Sequence, residues 1–459
     1  MASLSDFVPT PARARRRRLS VVPTFAAATT LGALVLAAPP AHAADTDVPC
    51  DPAALVAAVA AASASTAPDT LSLAPGCVYT LTAPAVPGGH EGLPTIRGTL
   101  TVRGNGATIA RAQDAPRFRL ISNWGDLTLE RLTLTGGHAP DGVGVNSYGE
   151  GNPGESGGAI ENWGPLTVTG SVLTGNRAGA GAPGADATAT TRAGRGGLGG
   201  FGGAISSYHS YSIPLTITGS VITDNATGPG GRGGNGAGRE PGARGGSGGL
   251  GGGVDVTSGA VLRITDTTIS GNVAADGAAG GSGGPDGGGG GDGGSGGTGG
   301  GVAVASSQGT PLRPVVTGSK ITGNRAGRGG DGGVAHPNGY LGWAGFGGSG
   351  GGLSVFYDTL TLDGTTVADN DAGEPGGGYY PLPAKGGGIH TLSGRVALVN
   401  GAEVTGNRPD NCYSVADVPG CVNDGPAFAA RGFGDAGARD HRSVEDLADA
   451  ARAASALSR

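Results

Sequence analysis

Large side chains are scarce in this chain. Aromatic residues make up 4% of its 459 positions and charged residues 14%, and there is a single methionine. A helical domain or a doubly wound α/β enzyme of this length needs more bulk in its core. It also needs far less glycine, which costs about 1 kcal/mol relative to alanine inside a helix. Both classes are excluded. Positive charge is scarce too. Residues 1–43 hold five of the 30 basic residues and one of the 36 acidic ones, leaving 25 basic against 35 acidic in the remainder. That balance gives no basic footprint for nucleic acid. Beyond residue 43 no apolar run is long enough for a membrane helix, so the mature chain is not expected to span a bilayer.

Metal-ligating residues are also few. There are four cysteines and seven histidines. His138, His209, His336 and His390 are scattered, and neither cysteine pair has zinc-type spacing, so no metal and no cofactor is expected. Gly287–Asp292 fits the GGxGxD opening of a calcium nonapeptide, but Gly294 stands where a large apolar residue should follow and no tandem copy follows. Matches to G-x-S-x-G such as Gly245–Gly249 fall in poly-glycine rather than at a strand–helix turn, which excludes a nucleophile elbow.

What is present begins with an export signal. Arg13, Arg15, Arg16, Arg17 and Arg18 form a basic region, Val21–Ala38 is apolar, and Ala41-His42-Ala43 supplies a small-x-small cleavage site. Residues 1–43 therefore read as a signal peptide, and the mature protein as secreted. An oxidising compartment suits disulfides. Four cysteines allow three connectivities, of which local pairing, Cys50–Cys77 and Cys412–Cys421, is the expected one, each bridge tying down one end of the fold.

Glycine, at 98 residues, and proline, at 30, dominate the remainder. Without a period such a composition signals disorder, but this chain has a period. Gly157-Gly158-Ala159-Ile160-Glu161-Asn162-Trp163 leads into Leu166-Thr167-Val168-Thr169-Gly170-Ser171 and then Val172-Leu173-Thr174-Gly175-Asn176. The same order returns from Gly202, Gly252, Gly300, Gly351 and Gly387, closing at Asn225, Asn272, Asn324, Asn370 and Asn407, with an earlier copy over Leu120–Ala139. Short β-branched runs alternating apolar and polar are half-buried strands. Three such runs per block of about 22 residues describe one coil of a parallel β-helix, predicting seven to nine stacked coils. The inward set of a coil (Ile160, Leu166, Val168, Leu173) forms a core only by stacking at ~4.8 Å. The closing Asn is expected in left-handed backbone, in a side-chain ladder along the stack.

The Gly-Gly-Ala-Ile pairs at 157–160 and 202–205, with apolar-x-x-Asn closing each block, resemble the repeat of polymorphic outer-membrane-type proteins. These belong to the right-handed parallel β-helix, or pectin-lyase-like, superfamily. The resemblance covers about Leu120–Asn411. It departs in carrying Leu, Ile or Val where the family has a closing Phe, and in lacking the C-terminal barrel of the autotransporter members. It implies an all-β fold: a right-handed parallel β-helix with Gly-rich inter-coil insertions. Asp51–Ala62 is expected to form an N-terminal capping helix, with Asp51 as cap and Pro52 in the first turn. The organisation follows as 1–43 signal peptide, 44–118 cap and first coils, 119–412 β-helix, and 413–459 a C-terminal loop and flexible tail with a helical stretch over 443–457.

The insertions repeat every three residues, as GGR GGN GAG from Gly230 and GGG GGD GGS GGT from Gly287, which matches a polyproline-II turn. They are either mobile loops or paired extended arms stacked into a lateral layer; the second resembles the Gly-Gly-x domains of mycobacterial glycine-rich surface proteins. Two sets of residues could carry function. One outward strand column reads Ser122, Glu161, Ser206, Asp255, Ala303, Ser354, His390, with Glu161 and Asp255 ~9–10 Å apart on a solvated face, at the edge of inverting-glycosidase spacing. The other set is aromatic: Trp124 and Trp163 at equivalent positions, with Tyr208 and Phe356 near the same register, as a sugar-binding platform or a structural turn stack. The expected role is a secreted surface or matrix interaction protein with polysaccharide or cell-surface glycan partners. The alternative is a polysaccharide-active enzyme using Glu161 and Asp255.

Overall fold

The structure, a computed structural model, describes residues 45–208, 213–257, 260–306, 312–337, 339–413 and 417–423. The signal expected over 1–43 and the helical stretch expected over 443–457 lie outside the described residues. Each turn of the chain contributes three short strands. Strands of successive turns pair in parallel and in register, building sheets of ten, nine and seven strands among the described residues. This is a right-handed parallel β-helix, the hand that parallel crossovers take. The ten-stranded sheet exceeds the expected coil number because Asp45–Val48 and Asp69–Leu73, ahead of the recognisable repeat, also stack.

Alternation determines which side chains enter the core. Ile121, Ile160, Ile205, Val254, Val302, Leu353 and Ile389 form one column of the seven-stranded sheet. Leu134, Leu173, Ile222, Ile269, Ile321 and Val367 form another in the nine-stranded sheet. All of them are buried, and each such side chain contributes roughly 1.5–3 kcal/mol by leaving water.

Polar ladders run beside these columns. Asn176, Asn225, Asn272, Asn324, Asn370, Asn407 and Asn411 are all buried. Each Nδ2 donates to the Oδ1 of the next at 2.9–3.0 Å. The same oxygens accept a backbone N–H at 2.9–3.1 Å. Left-handed backbone falls one residue earlier than expected, at Gly175, Asp224, Gly271, Gly323, Asp369 and Gly406, with φ of 56–66°. The Asn is there for its amide, which must point along the stack. A second ladder joins Ser171, Ser220, Thr267, Ser319 and Thr365, each hydroxyl accepting the N–H of the residue one coil before.

The insertions are paired extended arms. Within one of them Gly194, Gly197 and Gly200 donate to Ala185, Ala182 and Gly179, a bond every third residue. Between insertions the line continues: Gly231 donates to Gly197, Gly246 to Gly231, Ala278 to Gly246, Gly294 to Ala278 and Gly330 to Gly294, at 2.7–2.9 Å. A chain with three residues per turn makes no internal bonds, so its N–H groups point outward to neighbouring arms. Contact is close enough to require glycine: a Cβ on Gly246 would lie 1.9 Å from the Gly197 carbonyl oxygen. Of the two readings of these segments, the stacked layer is the one realised.

Helix Pro52–Ala64 closes one end. Asp51 caps it by accepting the Ala53 N–H at 3.0 Å, and Leu55, Val59 and Ala62 face inward. Cys50 is bonded to Cys77 and Cys412 to Cys421. Among the described residues no helix is long and apolar enough to cross a membrane.

Candidate functional site

The seven-stranded sheet carries both sets of residues singled out from the sequence. Its outward column has the expected register, Ser122–Glu161–Ser206–Asp255–Ala303–Ser354–His390. Its environment differs from the expectation. Ser122, Ser206, Asp255, Ala303 and Ser354 are buried rather than solvated. At Ser206, Asp255, Ala303 and Ser354 a glycine turn leads into the strand. Gly202, Gly251, Gly299 and Gly350 adopt φ of 62–68°, which folds the incoming chain over the strand's own outward residue. A Cβ on Gly299 would sit 2.9 Å from the Ala303 Cβ, and one on Gly350 2.4 Å from the Ser354 Oγ.

Glu161 and Asp255 therefore do not form a pair, since Ser206 stands between them and their surroundings differ. Asp255 is held by Thr257 Oγ1, which donates at 3.1 Å, and by Ser206 Oγ at 3.4 Å. Burial outweighs these hydroxyls and pushes its carboxyl up to about 7. It has no open face on which to meet a substrate.

Glu161 belongs to a different group. Arg119, with a side chain only 4% exposed, sits among three carboxylates. Its Nη1 lies 3.0 Å from Glu91 Oε1 and 3.1 Å from Glu161 Oε2. Its Nη2 donates to Glu155, whose other oxygen meets His90 Nδ1, and its Nε donates to the Ser156 carbonyl. Burial disfavours the guanidinium charge, but Glu161, Glu155 and Glu91 outweigh it and raise its pKa. Glu161 is pushed above the usual carboxylate range by burial and by Glu155 and Glu91, against the pull of Arg119 and of a hydrogen bond from Trp163. Three carboxylates around one guanidinium leave the cluster negative, and Glu91, Glu155, Glu161 and His90 all reach solvent.

The aromatic set adjoins this cluster. Trp124 and Trp163 stack with ring centroids 5.1 Å apart and planes 21° off parallel, and Tyr208 meets Trp163 edge-on at 5.1 Å. Trp124 is 52% exposed and forms the open end of the ladder, its indole N–H donating to Ser122 Oγ. Stacking turns most ring faces toward one another, so the free aromatic surface is concentrated at Trp124. Phe356 does not join the ladder. In register it follows Tyr208 through Thr257 and Ala305, and its ring is buried against His390.

Arg119, Glu91, Glu155 and His90 were not anticipated. Arg119 had a legible signal. Ile121 aligns with Ile160, so Arg119 occupies the place that Gly158 and Gly203 take in later coils, where a Cβ would meet backbone, and an arginine there departs from the repeat. Glu91 and Glu155 lie 28 and 36 residues from it, with no pattern to connect them. Among the described residues no group of three or more His, Cys, Asp or Glu is arranged to hold a metal ion. No protein-family model matches the chain, and no curated protein matches it.

Proposed function

We propose that this is an exported surface or matrix interaction protein of the pectin-lyase-like superfamily that binds glycans at the Trp124–Trp163–Tyr208 ladder. The observation that carries the reading is an exposed indole at the end of an aromatic stack, beside a solvent-reaching cluster of carboxylates. An aromatic face takes up the apolar C–H face of a sugar, and carboxylates accept hydroxyl hydrogen bonds. The negative balance around Arg119 favours neutral or amino sugars over uronates. The arginine-rich segment within 1–43 and the two disulfides support export.

A second reading is favoured by one observation. Glu161 is a carboxyl of raised pKa beside two further carboxylates, the arrangement of a general acid with its partner. A lyase acting on uronates finds less support, since the basic group is already engaged by acids.

The test is a glycan array read for both retention and depolymerisation. Trp124→Ala is expected to reduce retention tenfold or more, and Glu161→Gln to leave it largely intact. Unchanged retention in Trp124→Ala eliminates the platform. Depolymerisation that disappears in Glu161→Gln would instead establish the enzyme.

A further inference from the structure

At the other end of the seven-stranded sheet a groove runs between its outer face and the return arms of the glycine layer. It holds about 250 Å³, just below the range of roughly 300–1,000 Å³ for small-molecule sites. Residues that end Gly-Gly-x triplets, Phe201 and Leu250 among them, line it, and with Phe346 they form one wall. Phe356 and His390 form the floor, their rings edge-to-face at 5.7 Å. At the far end Lys385 places its Nζ 4.9 Å from the centre of the Tyr413 ring.

Two features separate this groove from ordinary packing. Thr298 Oγ1 and His390 Nδ1, both in its lining, are buried without a hydrogen-bond partner. Buried polar atoms in native folds are generally satisfied, so the lining is incomplete as it stands. The cation is also placed at the rim of an otherwise apolar space whose lining holds no acid, the carboxylate that acts on it, Asp410, standing outside the lining.

We infer that this groove binds an amphiphile with an apolar, ring-bearing body and a single anionic group. The body lies against Phe356 and the wall, its polar atoms satisfy Thr298 and His390, and the anion meets Lys385. The inference does not depend on glycan binding, since the groove shares no residue with the Trp124 ladder.

The full-length protein tests it by fluorescence titration with anilinonaphthalene sulfonate and with its uncharged relative N-phenyl-1-naphthylamine. Both are expected to saturate one site per chain. Lys385→Ala should weaken the anionic probe about tenfold and leave the neutral one within twofold. Ser349→Phe, which fills the groove, should abolish both while the circular-dichroism melt stays near that of the native protein. Absence of saturable binding by either probe overturns the proposal. So does equal weakening of both probes in Lys385→Ala, a readout that stands even where Ser349→Phe fails to fold.

Discussion

Asp255 offers the clearest test at the scale of one residue. Its carboxyl is raised to about 7 by burial, against ~3.9 in an unfolded chain. The folded state therefore binds more protons than the unfolded state between about pH 4 and 7, so this group's contribution makes stability fall as pH rises across that window. Asp255→Asn is expected to be more stable than the native protein at pH 8, by on the order of 4 kcal/mol, and equal to it below pH 4. Denaturant midpoints across pH check this, and equal midpoints at pH 8 would refute it. His138 and His390 act in the opposite sense. Burial lowers both to about 4, assisted by Arg117, Arg111 and Arg177 at His138 and by Lys385 at His390. Their contributions are present above about pH 6.5 and lost on acidification, so the Asn variant should retain a stability loss toward acid. None of these shifts was legible in the sequence. Asp255 and Glu161 share a strand column, and only the local covering determines that one is sealed and the other reaches water.

At the scale of the element, the glycine arms make a sharp distinction among glycines that look alike in the sequence. A Cβ on Gly294 would lie 1.9 Å from the Gly246 carbonyl oxygen, whereas one on Gly289, in the same insertion, would meet nothing closer than 3.4 Å. Gly294→Ala must push two arms apart and is expected to destabilise the protein by about 2–3 kcal/mol, as overpacking does. Gly289→Ala should lie within about 0.5 kcal/mol of native, as surface changes do. Urea unfolding of the pair decides, and equal tolerance of both would mean that the layer is not packed in solution. The three-residue period was visible in the sequence. Whether the arms were ordered was not, because the glycines are packed by the return arm of their own insertion and by neighbouring insertions that are distant in the chain.

At the scale of the whole molecule, stability is distributed along a stack in which each coil touches only its neighbours, so the ends matter most. The Cys50–Cys77 bridge closes a span of 27 residues beneath the capping helix, and Cys412–Cys421 one of 9. Chain-entropy arguments assign about 3–4 kcal/mol to the longer and about 2–3 kcal/mol to the shorter. Cys50→Ser/Cys77→Ser should therefore lower the melting temperature more than Cys412→Ser/Cys421→Ser, and calorimetry that gave the reverse order would place the end that limits stability at the C-terminus.

The division between sequence and tertiary structure follows from the range of the interactions. Strand alternation, the inward columns, the Asn ladder and the helix cap at Asp51 are local patterns repeated at nearly constant spacing, so the sequence by itself determined the β-helix. The Trp124–Trp163 pairing belongs with them, since equivalent positions in adjacent coils must meet. Only the folded chain decided the rest. It brought Glu91 and Glu155 to Arg119, buried Asp255, withdrew Phe356 from the aromatic ladder, and enclosed a groove between sheet and arms. Each of these depends on where an insertion returns in space, and glycine, without a side chain, leaves almost no record of that path in the sequence.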